Sequence, residues 1–564
     1  MDGPKTLGLF LVSATMSQSL DNMRSVCVLF VVFSGLVEGL YRVDPLVSTN
    51  KGLIRGLRSD EGYAQFMGIP YAVVDKKNPF GPSIPHPGFD GIFEAYETNV
   101  CPQMSNDVAI GTIDCLTMNI YVPSAATSQN RLPVMVWIHG GAFVIGSAEN
   151  EGSPRFLLKH DVIVVKINYR LGAYGFMCLD IPEVPGNQGL KDQALALRWI
   201  KENIEAFGGD AGQITIFGES AGGRSVNLHL LSSFESLFQR AIIQSGPASS
   251  AWLTMNSDKT VPIKLAEALD FETEDTLEAL DYLASVDVHT LTKLAHDLEI
   301  TSFTENNIPI TLPCIEKEFE GIEPFMTDYP MNINTPKARN TPVIIGHTNN
   351  ELSFLYGLAK AEFFSNYDFS LISNAFDLQD DWEDAVNDVK HFYIGDEPLS
   401  EIVADKITDF ASDIIFNHPT QRMAERLLDI GARPVYRYLF SYSGGRNLIK
   451  VLSNLNSTGA IHGDELGYLF DLEIFSKDVA PEDQLMIDRL TTLWINFVKY
   501  GDPTPTTSEL LPIKWEPITK TSQPYLNIDA NLTFESRPFH DRMAFWDLFY
   551  KLYRNHHKYE VSKQ

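Results

Sequence analysis

Gln213-Ile214-Thr215-Ile216-Phe217-Gly218-Glu219-Ser220-Ala221-Gly222-Gly223-Arg224-Ser225 is the stretch on which the fold turns. Four of the five residues before Gly218 are β-branched or aromatic, the make-up of a short buried strand. Val226-Asn227-Leu228-His229-Leu230-Leu231 then opens a helix. Gly-x-Ser-x-Gly lies between them, so the reading is strand, tight turn, helix, with a serine at the apex. Such a turn is so sharp that a side chain at Gly218 or Gly222 would strike the flanking elements. It holds Ser220 in a strained conformation with its hydroxyl pushed out of the sheet. The same residues could also make a plain glycine-rich strand-to-helix turn, so the rest of the chain has to decide.

Working outward, Leu132-Pro133-Val134-Met135-Val136-Trp137-Ile138 and Val162-Ile163-Val164-Val165-Lys166-Ile167 are near-continuous apolar runs. Such runs fit strands covered on both faces. Further strands are read at Leu46 to Arg55, Phe66 to Ala72, Asn119 to Val122, Arg240 to Gln244, Pro342 to Gly346 and Pro434 to Tyr442. Leu190 to Phe207 has helical periodicity, with Leu190, Ala194, Leu197, Ile200 and Ile204 on one face. This alternation predicts an α/β fold, a large, mostly parallel, doubly wound sheet with helices on both faces. No repeat, low-complexity tract or Pro/Ser-rich linker divides the chain. One domain is therefore expected over residues 40–553, with a tail over 554–564. Asp270 to Phe319 and Glu362 to Leu428 read as insertions over one end of the sheet.

Composition narrows the function. The 564 residues carry a formal net charge of −29, and 44% of them are hydrophobic, enough for a sizeable core. So acidic a chain lacks the basic face that nucleic-acid binding needs and is disfavoured at anionic membranes. No internal apolar run approaches a transmembrane length, so no stable membrane insertion is expected. Arg24 followed by Val26-Cys27-Val28-Leu29-Phe30-Val31-Val32-Phe33 reads as a secretory signal from Met23 to Gly39, with residues 1–22 an upstream extension. Secretion places the protein outside the cell. Of five cysteines, Cys27 leaves with the signal. Cys101 and Cys115 close a short loop and are expected to pair, worth roughly 3 kcal/mol by chain entropy. Cys178 and Cys314 sit in apolar surroundings and read as buried free thiols. Asn456-Ser457-Thr458 and Asn531-Leu532-Thr533 are glycosylation sequons, giving Asn456 and Asn531 as candidate sites.

A serine hydroxyl needs an adjacent base, itself oriented by an acid. Two downstream loops offer them: Val343-Ile344-Ile345-Gly346-His347-Thr348-Asn349-Asn350-Glu351 and Ile461-His462-Gly463-Asp464-Glu465-Leu466. The chain order Ser, acid, His is that of α/β-hydrolases. The chain resembles the type-B carboxylesterases of the carboxylesterase/cholinesterase family. The resemblance is carried by Phe66 to Ala72, Asp114-Cys115-Leu116, Trp137 to Phe143, Gly186-Asn187-Gln188-Gly189-Leu190-Lys191-Asp192-Gln193, Phe207-Gly208-Gly209-Asp210, the serine turn and both loops, and runs from about Leu46 to Tyr550. Trp494 to Pro503 is most similar to insect members. The resemblance implies an α/β-hydrolase fold with Ser220 as nucleophile, His462 as general base and then acid, and Glu351 as its partner. It implies an oxyanion hole from the His139-Gly140-Gly141-Ala142-Phe143 loop and Ala221, with Gly140, Gly141, Ala142 and Ala221 as its residues and the N–H groups of the last three as donors. Ala142 replaces the commoner third glycine, keeping the N–H while its methyl trims the acyl pocket.

Other residues are weighed beside these. His347 is a weaker base candidate by position. Asp464 and Glu465 read as helix-start acids, and Glu219 as a structural carboxylate. Leu352 follows Glu351 where the family usually has glycine. Arg224, where small residues are usual, either faces solvent or narrows the site. With no second histidine at helical spacing near His462, no metal site is read, and neither a metal nor a nucleotide cofactor is expected. The implied activity is hydrolysis of small uncharged carboxylic esters, such as xenobiotic, odorant- or pheromone-like, or hormone esters, through an acyl-enzyme. Cholinesterase activity is disfavoured because the Cys101–Cys115 loop has no aromatic residue to hold a quaternary ammonium. Juvenile hormone esterases usually carry Gln at the position of Glu219. The alternatives from other classes are a non-catalytic adhesion protein of neuroligin type and an ester-sequestering protein.

Overall fold

The computed structural model of the chain describes residues 45–250, 256–304 and 309–558. The signal segment Met23 to Gly39 and the extension before it lie outside them, as does the end of the tail. The main sheet has 11 strands. They are β1 (Leu57–Arg58), β2 (Ala64–Pro70), β3 (Thr117–Val122), β4 (Leu132–Ile138), β5 (Ile163–Ile167), β6 (Gly209–Glu219), β7 (Arg240–Gln244), β8 (Val343–Thr348), β9 (Val435–Phe440), β10 (Pro524–Ile528) and β11 (Thr533–Ser536). Across the sheet they run β11-β10-β9-β8-β7-β6-β4-β5-β3-β2-β1. Every pairing from β10 to β5 is parallel, and only the edges are antiparallel.

The near-continuous apolar runs follow from burial on both faces. In β4, Val134, Val136 and Ile138 enter one core while Met135 and Trp137 enter the other. The first core is completed by α1 (Gln188–Asn203) and α2 (Ala221–Leu231), through Leu190, Ala194, Leu197, Val226 and Leu230. Helices α3 (Val261–Glu267), α4 (Thr276–Ala284) and α5 (Val288–Asp297) follow β7 in the chain and share a separate core that includes Leu265, Leu280, Leu283 and Leu291. This insertion therefore starts earlier than its polar stretch suggests.

After β8, α6 (Ala404–Ser412) runs through a π-helical turn, Asp413–Asn417, into α7 (His418–Ile430). The segment before α7 has a core of its own with α9 (His540–Leu552), through Tyr367, Phe410 and Trp546. Helix α7 instead packs Met423 and Leu427 on the first core, so the insertion ends before it. The 20-residue α8 (Pro481–Tyr500) covers the second core with Leu490, Trp494 and Phe497.

Two elements differ from the sequence reading. Leu46 to Arg55 is a hairpin, Leu46–Thr49 with Gly52–Arg55, because the chain turns at Asn50 and Lys51 and Gly52 takes φ +124°. The helix expected over Leu190 to Phe207 ends at Asn203. A 3-10 turn, Ile204–Phe207, tightens it until Gly208 stops it in the left-handed region at φ 80°.

One expectation is overturned. Cys178 and Cys314 are not free thiols but are joined in a disulfide, as are Cys101 and Cys115. The first pair is 136 positions apart and meets only through the fold. Asn187 brings them together by donating its amide N–H to the Cys314 carbonyl (2.8 Å) and accepting the Cys314 N–H (2.9 Å). Gly186 leaves the space, since a Cβ there would come within 2.8 Å of both sulfurs.

Candidate active site

The serine turn is built by contacts that exclude side chains. A Cβ on Gly222 would stand 1.9 Å from the Ile138 carbonyl oxygen, and one on Gly218 would stand 2.6 Å from the same atom. Strand β4 thus presses directly on the turn between β6 and α2. Ser220 pivots there at φ 56°, ψ −123°, conformational space an L-residue rarely adopts. Its N–H is anchored to the Gln244 carbonyl at 2.9 Å.

Glu351 lies on the loop after β8 and is wholly buried. One carboxylate oxygen accepts from the Thr348 N–H (2.8 Å) and the Ser245 hydroxyl (2.7 Å). The other faces Nδ1 of His462 at 2.5 Å. Burial alone would raise this carboxyl; the His462 charge and hydrogen bond outweigh it and hold it below its ordinary value. His462 lies within a turn pinned by Asp464, whose carboxylate accepts from the Ile461 N–H (2.8 Å), the Asn447 amide (2.9 Å) and the Lys450 N–H (3.0 Å). Asp464 and Glu465 do stand just before a helical turn, Leu466–Leu469. Their carboxylates are buried and engaged elsewhere, Glu465 accepting from Gln244 at 3.1 Å.

The second nitrogen of His462 meets an acid as well: Glu219 Oε1 lies 3.2 Å from Nε2. Burial favours a neutral ring, but Glu219 and Glu351 together outweigh it and raise His462 above its ordinary value. The Glu219 carboxyl is itself raised by burial, in spite of His462, with Glu465 and Glu351 adding to the effect. Two rings flank the imidazole, Phe354 at 5.3 Å and Phe416 of the π-turn at 4.7 Å between centroids.

Ser220, His462, Glu219, Gly141, Ala142 and Ala221 all line one cavity of about 380 Å³. Gly140 stands behind it, where a Cβ would approach Ser220 Cβ to 3.2 Å. Gly141, Ala142 and Phe143 all take positive φ, at 104°, 52° and 62°. The remaining wall is largely apolar, with Met104, Val144, Leu171, Leu291, Leu352 and Phe416 among its side chains. Leu352 is buried, and its N–H donates to the Ser412 hydroxyl at 3.1 Å.

His347 is elsewhere: its buried ring donates Nδ1–H to the Thr348 carbonyl at 2.8 Å, and burial lowers it to about 4. Arg224 takes neither course that its position suggests. It is fully buried and donates to the Pro247 and Ser250 carbonyls at 3.1 and 3.0 Å, fixing the loop after β7. Sequence reading missed Ser245, the approach of Glu219 to His462, and the two flanking phenylalanines. Only Glu219 carried a signal, its place beside the serine.

The carboxylesterase family model matches residues 43–546. The chain is 31% identical to esterase FE4 of Myzus persicae over 508 residues, 84% of this chain and 86% of that one. It is 32% identical to venom carboxylesterase-6 of Apis mellifera over 495 residues, 81% and 86% of the two chains. Among solved structures, the juvenile hormone esterase of Manduca sexta with OTFP covalently attached superposes with a TM-score of 0.77 at 26% identity, covering 90% of this chain and all of that one. The fold is that of the α/β-hydrolases, and the chain belongs to the carboxylesterase family, as a carboxylic ester hydrolase.

Proposed function

We propose that the protein is a secreted serine esterase that cleaves small uncharged carboxylic esters through an acyl-enzyme on Ser220. The observation that carries this reading is the juxtaposition of Ser220, at a strained turn, with His462, whose far nitrogen is bonded to the buried Glu351. Ser220 Oγ attacks the ester carbonyl carbon while His462 takes its proton. The oxyanion that forms is held by the N–H groups of Gly141, Ala142 and Ala221, each worth about 3 kcal/mol. The carbon–oxygen bond to the alcohol then breaks, and His462 returns the proton to the departing oxygen. Water, deprotonated by His462, attacks the acyl-enzyme and releases the acid. Glu351 keeps the ring oriented and offsets its charge.

The apolar cavity wall and the net charge of −29 support uncharged substrates. Xenobiotic, odorant- or pheromone-like, and hormone esters share that chemistry. Secretion is supported by the Met23 to Gly39 pattern and two disulfides, which need an oxidising compartment. Asn456 and Asn531 are both exposed, and we assign them as glycan acceptors.

The test is labelling with a fluorescent fluorophosphonate beside turnover of 4-nitrophenyl acetate and butyrate. Stoichiometric labelling and turnover, both lost in Ser220→Ala, are expected. Folded protein with neither would overturn the reading.

A further inference from the structure

One wall of the cavity differs from the rest. Helix α5 turns Leu291, Thr292, Ala295 and His296 toward it, at helical spacing, and Thr301 follows from the next turn. His296 and Thr301 are each half-buried. Among the described residues, neither the His296 imidazole nor the Thr301 hydroxyl has a hydrogen-bond, ionic or ring partner. Thr292 donates to the Val288 carbonyl at 2.7 Å, which leaves its oxygen free to accept. By contrast Gln103, also in the lining, is fully committed, to the Cys101 and Gly146 carbonyls and the Gly146 N–H. A run of ten residues thus places three polar side chains along a cavity whose other walls are mostly hydrocarbon.

When an ester fills the cavity these groups lose water. An alkyl chain laid on them leaves them unpaired, at about 1–3 kcal/mol for each buried group. An oxygen in the same place restores the pairing, because imidazole and hydroxyl both donate and accept. No Lys or Arg is among the lining residues, and the one lining carboxylate, Glu219, is already engaged with His462.

We infer that the substrate is an apolar ester carrying a second, uncharged oxygen (ether, epoxide, carbonyl or hydroxyl) remote from the scissile bond, with His296 and Thr301 determining that specificity. The inference rests on the serine-esterase reading above and adds the class of ester.

The test uses 4-nitrophenyl octanoate and the same ester with one chain methylene replaced by an ether oxygen, moved position by position. At one position the ether should match or exceed the alkyl ester in kcat/KM. That ratio should fall about 10-fold in His296→Phe and in Thr301→Val, and return in Thr301→Ser, which keeps the hydroxyl. The ratio of Kd values for the same two esters on Ser220→Ala reads the preference without turnover. A wild-type enzyme that prefers the alkyl chain at every position, or a ratio unmoved by both substitutions, would overturn the inference. Hydrolysis that persists in Ser220→Ala would overturn the serine reading instead, while the wild-type and variant ratios would still report on the wall.

Discussion

At the scale of single residues, His462 sits between two carboxylates, Glu351 on Nδ1 and Glu219 3.2 Å from Nε2. The proposed base acts in its neutral form, so a ring raised above its ordinary 6.5 should reach full activity only as pH climbs through that higher value. Glu219→Gln removes one of the two negative charges. The acid limb of the kcat/KM profile should then move down by roughly 1–3 pH units. A limb that stays or moves up would show that Glu219 does not set the base. In the proposed mechanism Nε2 collects the Ser220 proton on the side where Glu219 sits, so the same substitution tests whether Glu219 competes for that nitrogen.

Among the elements, the π-turn Asp413–Asn417 is the one that the proposed catalytic geometry leans on. Its side chain Phe416 packs on His462, and Ser412 just before it accepts from the N–H that follows Glu351. A π-turn inserts one extra residue into the helix between α6 and α7, and such insertions recur at functional sites. The turn is fastened underneath by Asp413, buried and bound by the Tyr393 hydroxyl (2.6 Å), the Asn417 amide (2.7 Å) and Arg542 of α9 (3.0 Å). Burial pushes this carboxyl up to about 6 in spite of Arg542, so the site is held at some cost. Asp413→Asn removes the buried one of the two carboxylates on Arg542, leaving Asp409 at 2.5 Å, and should cost about 1–3 kcal/mol in urea unfolding. Phe416→Ala should leave the pair intact and lower kcat/KM by about 10²-fold through a loosened imidazole. Unchanged stability in the first variant, or unchanged turnover in the second, would remove the turn from the mechanism.

For the whole molecule, the two disulfides constrain very different lengths of chain, 136 positions for Cys178–Cys314 and 14 for Cys101–Cys115. Chain entropy makes the long closure worth roughly 4–5 kcal/mol and the short one roughly 3. Cys178→Ser with Cys314→Ser should therefore lower the urea midpoint more than Cys101→Ser with Cys115→Ser. The reverse order would mean that the unfolded chain is not what the long bridge restrains. The long bridge closes a loop that contains β6, α2 and the three helices α3 to α5, and so both the serine turn and the α5 wall of the cavity.

The sequence by itself determined the parts whose causes are local. Runs of apolar residues become strands because both faces are covered. Gly218 and Gly222 become a sharp turn because nothing larger fits against β4. The order of Ser220, Glu351 and His462 along the chain already matched the order in which strands deliver side chains to one end of the sheet. Tertiary structure alone decided what depends on chains meeting across long separations. Ser245 reaches Glu351 only through neighbouring strands, the two lone cysteines meet over 136 positions, and Arg224 spends its charge on the carbonyls of a loop that no local pattern reveals. The π-turn was illegible for the same reason: no sequence period announces it, and the ion pair that holds it comes from a helix more than a hundred residues away.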